Sequence, residues 1–449
     1  MNPIEMSSLL NTFIGVSIAS QVGSDLSLLD PENPLFWVLF VLLLGIVIGC
    51  IYAIVKARTT ASNPNNIATI KDQQISIFDS KFATEYKDKK SLRSALQDQK
   101  VSDREDCLVN FAPLTVIHPG YLGPPLNGVY DEKQGVSAAI RMGARCFVLP
   151  IDYHDKDTVP EAFPPANKPC LLYRDAGDTI RSLNGGSILK VAEAIRDVAW
   201  SDLVTQKNDP FILVLYFMRT PKENTREYLD FLSQVAKDLA PLSPYLLGQT
   251  PDGVYNRQAR QDQLLFLNTS SLEKKLVVFC NADTTGFRTS QTDFKHAYLP
   301  KEDLDYWVHL RLYKQNLETQ LGVTTVPEQS GIPRGLLEML SFYTTIPQDA
   351  RNQRIAVDTT KQRFVIALSP PGTNPAQETV KIALDTYGVQ AIPLFLTDYT
   401  PDVKVLMSNW KLAWRAKPKA IRYVRPEPQV IPSQSPRADA NGGALTIPR

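Results

Sequence analysis

The first 55 residues of this 449-residue chain contain no lysine and no arginine, and the whole chain has only four histidines and five cysteines. Each shortage excludes something. Cys50, Cys107, Cys146, Cys170 and Cys280 lie far apart without a Cys-x-x-Cys pair, so neither a zinc ribbon nor a thioredoxin-like redox motif is encoded. Scattered single thiols fit a reducing compartment better than a disulfide framework. His118, His154, His296 and His309 match no triad or metal-ligand spacing. A Walker-type phosphate loop, a Gly-rich dinucleotide turn and a heptad array are all missing, and no motif asks for a cofactor. Surplus charge is missing too. Lys plus Arg number 48 against 47 for Asp plus Glu, which gives no basis for a nucleic-acid partner or a polybasic lipid-surface patch.

What the chain does have is one long apolar run. No charge occurs between Leu35 and Val55. A spanning helix needs roughly 20 apolar residues at about 1.5 Å rise each, so the run predicts a single transmembrane helix over 34–56 with the lipid bilayer as its partner. A cleaved signal peptide fits poorly, because the run starts late, is long, and follows Glu5, Asp25, Asp30 and Glu32. Lys56 and Arg58 come directly after it. Positive charge stays on the cytoplasmic side, which puts residues 1–33 outside or in a lumen and the large domain on the cytosolic face. The sequon Asn268-Thr-Ser would be glycosylated only in the reverse orientation.

Composition divides the rest. Residues 1–33 are polar, with a weakly apolar stretch at 7–18 that suits an interfacial helix. Residues 57–107 read as a linker, rich in Thr, Ser, Asn and Gln to about 80, then a charged segment with a short solvated helix at Lys89–Gln97. Residues 108–424 form the globular region, and 425–449 a Pro-rich, polyproline-like tail. Within the globular region, short apolar runs predict strands at Leu114–Ile117, Cys146–Ile151, Cys170–Tyr173, Phe211–Phe217, Leu276–Cys280, Trp307–Leu312, Phe364–Leu368 and Ala391–Leu396. Helical patterns fall at Gly135–Gly143, Ser187–Trp200, Asn224–Leu239, Gly335–Tyr343 and Glu378–Thr386. About eight strand–helix units argue for an α/β fold of the TIM-type (β/α)8 barrel kind. A doubly wound open sheet is the runner-up, and it lacks its Gly-rich first turn here.

The order of several motifs resembles the catalytic barrel of phosphoinositide-specific phospholipase C. His118-Pro-Gly-Tyr121 stands where that family has His-Asn-Thr-Tyr, and Ala139–Asp152 resembles its Ala-Leu-Arg-x-Gly-Cys-Arg-Cys-Val-Glu-Leu-Asp. Leu171-Leu-Tyr-Arg174 with the helix pattern to Trp200 resembles Val-Ile-Tyr-His and its helix, and Pro210–Tyr216 resembles Pro-Val-Ile-Leu-Ser-Leu-Glu. Pro370–Thr373, Val389–Asp402 and Ala416–Arg422 are similar to the family's second half. The likeness spans about 110–422 and is thin at 220–360.

The resemblance implies a calcium-dependent reaction with two histidines, and its residues transfer poorly. Only the first histidine is kept, as His118. The Asn position holds Pro119, the Glu and Asp after it hold Val148 and Pro150, the second histidine is Arg174, and the last calcium-ligand Glu is Tyr216. The Ser-Arg pair expected on phosphate falls on Ile366 and Ala367. Arg174 cannot shuttle a proton, and Val, Pro and Tyr give calcium none of the carboxylates it wants. No metal ligand set and no catalytic residue is therefore assigned, with His118 a vestigial candidate and His118 with Arg174 a candidate anion site. Pairing of Arg174 with Asp152 or Asp178 is the plainer reading. The expectation is a non-catalytic, membrane-anchored scaffold that meets other subunits of a large assembly through the linker and the tail 425–449, such as the shell of a large DNA virus with an internal lipid layer. The alternatives are a phosphoinositide phosphodiesterase with a rearranged site and an inositol-phosphate-binding module.

Overall fold

The computed structural model describes residues 34–61, 64–78, 89–123, 127–155, 163–223, 225–248, 263–287, 298–314, 334–346, 349–396 and 401–427. Two compact units are present, Met1–Asn66 and Ile67–Arg449. The expected interfacial helix at 7–18 and all but the first three residues of the tail lie outside the described residues.

The first unit contributes helix α1, Pro34–Ala61. A proline at the first helical position costs no hydrogen bond, since that N–H has no intrahelical partner anyway. Its apolar side chains, among them Trp37, Leu43 and Ile48, are exposed. The expected membrane span is corrected at this point. Among the described residues no helix is long and apolar enough to cross a membrane. The single-pass localisation is set aside, and with it the cytosolic face, the virion membrane and the bilayer contact of 34–56.

Helix α2, Pro64–Phe78, occupies much of the segment read as linker. Helix α3, Leu92–Asp98, is capped by Ser91 and buries Leu92 and Ala95, so it is an amphipathic wall rather than a solvated helix. Strand β1 (Phe111–Pro113) precedes the first sheet strand, β2 (Thr115–Ile117), and a small hairpin of β3 (Tyr121–Leu122) and β4 (Val129–Tyr130). Asp131 then caps α4, Glu132–Arg141. Next come β5 (Cys146–Asp152), the short β6 (Cys170–Leu171), α5 (Ile188–Val198), β7 (Phe211–Phe217) and α6 (Arg226–Asp238). The second half supplies β8 (Leu276–Cys280), α7 (Leu304–Trp307), β9 (Leu310–Lys314), β10 (Arg334–Met339), α8 (Phe342–Thr345), α9 (Ala350–Gln362) and β11 (Val365–Leu368). Helices α10 (Gln377–Ile382) and α11 (Pro401–Met407) and strand β12 (Trp414–Ala416) end the described chain.

The sheet is curled and parallel, in the order β2-β5-β7-β8-β9-β10-β11, with β6 antiparallel on β5. Its two edges are bridged by one segment. Ala367 N–H donates to Ala391 O (2.8 Å) and Leu394 N–H to Thr115 O (2.9 Å), so the expected eighth strand is a pair of single bridges. Side chains alternate as a curled sheet requires. Val148, Val214, Phe279, Leu312, Leu337 and Ile366 pack in one apolar cluster with Trp414, while Leu149, Leu213 and Val278 join the other cluster with the helices. At the end where the parallel strands begin, the floor, β1 pairs antiparallel with β12.

Two expected elements are corrected. The helix pattern at Gly335–Tyr343 is strand β10 followed by the turn of α8. Here tertiary pairing wins over pattern, and a Cβ on Gly335 would sit 2.5 Å from Leu310 Cδ2 and 2.8 Å from Phe364 O, a gap only glycine fits between flanking strands. The strand pattern at Trp307–Leu312 opens as the last turn of α7 and becomes strand only from Leu310.

Candidate functional site

Active sites of parallel α/β barrels lie at the carboxyl ends of the strands, so this mouth is where side chains carry meaning. At the end of β2 the chain turns sharply. Pro150 on β5 has no N–H to offer, β2 stops at Ile117, and His118 adopts a left-handed φ of +53°. The turn drives the imidazole inward rather than into solvent. His118 is 5% exposed, its Nδ1 shares a 2.9 Å hydrogen bond with the Tyr130 hydroxyl, and its ring packs edge-on against Tyr173 and Phe395. Tyr121 completes the aromatic box. Burial pushes the imidazole pKa down to about 3, so the ring is neutral at pH 7.

Arg174 follows Tyr173, yet its side chain belongs to a different cluster. Asp152, fully buried at the end of β5, takes three donors: Arg174 Nε at 2.5 Å on Oδ2, Arg219 Nε at 2.7 Å and its neighbour's N–H, that of Tyr153, at 2.7 Å on Oδ1. The other Arg174 nitrogens donate to Asp178 O (2.8 Å) and Tyr153 O (3.2 Å). The Asp178 carboxylate stands 3.7 Å from Nε. Arg219 also donates to Tyr153 O and lies 4.8 Å over the Tyr153 ring. Two guanidinium groups thus straddle one carboxylate in a buried, satisfied network. Sequence reading found Asp152 and Asp178 as partners of Arg174 and missed Arg219. Its only signal was a basic residue two positions past the end of β7.

The remaining transferred positions are apolar or closed. Val148, Ile366 and Ala367 are buried, and Pro150 pairs in register with Tyr216 inside the sheet. Among the described residues no group of three or more His, Cys, Asp or Glu side chains is placed to hold a metal ion. The donors here do not fit the calcium that the resemblance implies, because Pro119, Val148, Pro150 and Tyr216 carry no carboxylate.

No protein-family model and no curated protein matches the chain. Solved structures do. PLC21 of L. pealei is similar over 72% of this chain at 12% identity and a TM-score of 0.49, and PLC21 of S. officinalis over 72% at 12% and 0.48. The chain spans only 38% of the length of either. A Ca2+-dependent phosphatidylinositol-specific phospholipase C from Streptomyces antibioticus is similar over 69% of this chain and 99% of its own, at 11% identity and a TM-score of 0.39. Likeness this distant concerns the fold and brings no activity, ligand or residue role. What the chain has in common with these proteins is a phospholipase C-like α/β architecture, a curled parallel sheet with its helices.

Proposed function

We propose that the barrel is a non-catalytic structural module whose mouth is closed by packing and ion pairing. One observation carries this reading: the imidazole at the family's first catalytic position is neutral, buried and bonded to Tyr130 within an aromatic box. A group that stabilises a phosphate must reach it, and His118 is buried to 5% exposure. Arg174, at the second histidine position, is supported in the same role by its three occupied nitrogens. Contacts to other subunits through 425–449 are part of the proposal. Arg425 supports it by anchoring the start of the tail on Asp106 O at 3.0 Å.

The test is a phosphatidylinositol-cleavage assay on the full chain, with calcium and with chelator. The expected result is no turnover above buffer in either. Losing a general acid/base alone typically costs about 10²–10⁴-fold. Calcium-dependent release of inositol phosphate that disappears in His118→Ala would overturn the proposal.

A further inference from the structure

The segment after β5 holds a histidine whose hydrogen bonds fix its proton count. His154 is 7% exposed and stands two residues past the end of β5. Its Nδ1 lies 3.2 Å from Asp155 O and its Nε2 2.6 Å from Pro164 O. Both partners are backbone carbonyls, which only accept. A neutral imidazole has one N–H, so it would turn a lone pair toward one of these oxygens. The imidazolium donates to both. His309 makes the contrast. Its Nδ1 accepts the Val278 N–H at 3.1 Å and its Nε2 donates to Leu247 O at 2.8 Å, a pattern that a single ring hydrogen completes.

Packing holds the partners of His154 where they are. The Asn167 N–H donates to His154 O at 3.0 Å, so residues 164–167 are tied to the end of β5 through backbone as well as ring. The Phe163 ring stands edge-on to the imidazole, with centroids 5.9 Å apart. Pro164 packs on Gly185, where a Cβ would overlap Pro164 Cδ. Charge around the ring is sparse. On its own segment stand Asp152, paired with Arg174 and Arg219, and the exposed Asp155. Residues 163–167 and the turn at 183–186 contain no ionisable group, and Lys168 beyond them is exposed. We propose that His154 is a proton-dependent clasp between the end of β5 and residues 163–167. As the imidazolium, it fastens Pro164 O through Nε2 while the Nδ1 bond to Asp155 O keeps the ring aimed. On losing a proton it gives up one of these two bonds, so the clasp is complete at low pH and loosens as pH rises.

The experiment is NMR of the full chain labelled with 15N-histidine, at pH 6 and pH 8.5, with His154→Gln to assign the signals. At pH 6 His154 should show two ring N–H protons, both slowed in exchange with water by their carbonyl partners. At pH 8.5 one should remain. His309 is the internal reference, with one ring N–H at both values. Corrected for the intrinsic effect of pH, the Asn167 amide should be about 3–10-fold less protected from hydrogen exchange at pH 8.5 than at pH 6, the scale of one hydrogen bond. In His154→Gln, which keeps a donor and does not titrate, that difference should disappear. A single ring N–H on His154 at pH 6 overturns the proposal. So does equal Asn167 protection at the two pH values in the wild type, or a difference that persists in His154→Gln. Should His154→Gln fail to fold, the nuclear Overhauser contact between the His154 ring N–H and the Phe163 ring assigns the signals, and the wild-type series decides.

Discussion

The two ends of this barrel treat a buried aspartate in opposite ways. At the mouth, Asp152 is held by two guanidinium groups and a backbone N–H within 2.7 Å. At the floor, Asp209 accepts the Leu92 N–H at 2.9 Å, and the buried Arg145 guanidinium supports it by charge without an ion-pair contact. Both side chains are removed from water, so the difference lies wholly in partners. Where partners are complete, the carboxylate serves as a structural rivet. Where a close counter-charge is missing, burial wins and raises the carboxyl pKa.

The sharpest way to break the comparison is to remove the rivet. Asp152→Ala leaves Arg174 buried beside Arg219 with no carboxylate between them, and breaking a buried pair by deleting one partner costs about 3–5 kcal/mol. Urea unfolding of the full chain should show a loss of that size. Replacing Arg174 with Met in the same background should recover part of it, because the uncompensated buried charge goes too. A loss below about 1 kcal/mol would mean that the network is ornamental and that the mouth is not closed by ion pairing.

Much of this arrangement was legible beforehand. Strands β7 and β8 fall where unbroken apolar runs put them, because a strand covered on both faces needs no alternation. Helices with a strong cap and an apolar stripe, such as α5 behind Ser187, were equally plain. Strand β10 was not, since its Gly-Leu-Leu-Glu-Met run scans as well for a helix as for a strand and only the neighbouring strands decide. At the mouth, the residues at the positions that the resemblance picks out, such as Val148 and Pro150, could be read directly. The burial of His118 could not, because it follows from a left-handed turn and from Tyr130, Tyr173 and Phe395, which come from three separate segments. The setting of Asp209 was invisible for the same reason: Leu92 at the start of α3 and Asp209 before β7 meet only in the folded chain.

A pH series sharpens the comparison, since the two ends titrate in opposite directions. His118 is depressed to about 3, well below its unfolded value near 6.5. It therefore contributes stability above pH 6.5 that is lost as pH falls toward 3. Asp209 is raised to about 7, above an unfolded value of 3.8. Its contribution is present below pH 4 and is lost as pH rises through 7. Each amounts to about 1.4 kcal/mol per pH unit inside its window. From pH 7 to 5, His118→Gln should gain about 2 kcal/mol on the wild type, and Asp209→Asn should lose about 2–3 kcal/mol against it. Urea midpoints at the two pH values read both. Parallel slopes in all three proteins would erase the distinction between mouth and floor.

The smallest effect is expected where the floor is clasped from outside. The segment before β1 and the segment after β12 are joined by two ion pairs that differ only in exposure. Arg422 lies 3.2 Å from Glu105 with both side chains under a tenth exposed, whereas Arg104 lies 2.8 Å from Glu427 with side chains 48% and 80% exposed. Exposed pairs gain little, because water already solvates both ions and two long side chains must be held in place. Arg104→Ala should cost under about 1 kcal/mol, and less still at 0.5 M salt, where screening acts over a few Å. The variant also gives up the 2.9 Å bond from Arg104 Nε to Arg425 O, and that is included in the same small figure. A cost of 2 kcal/mol or more, unchanged by salt, would show that the clasp carries load through its exposed pair. Burial would then not be what ranks the charges of this barrel.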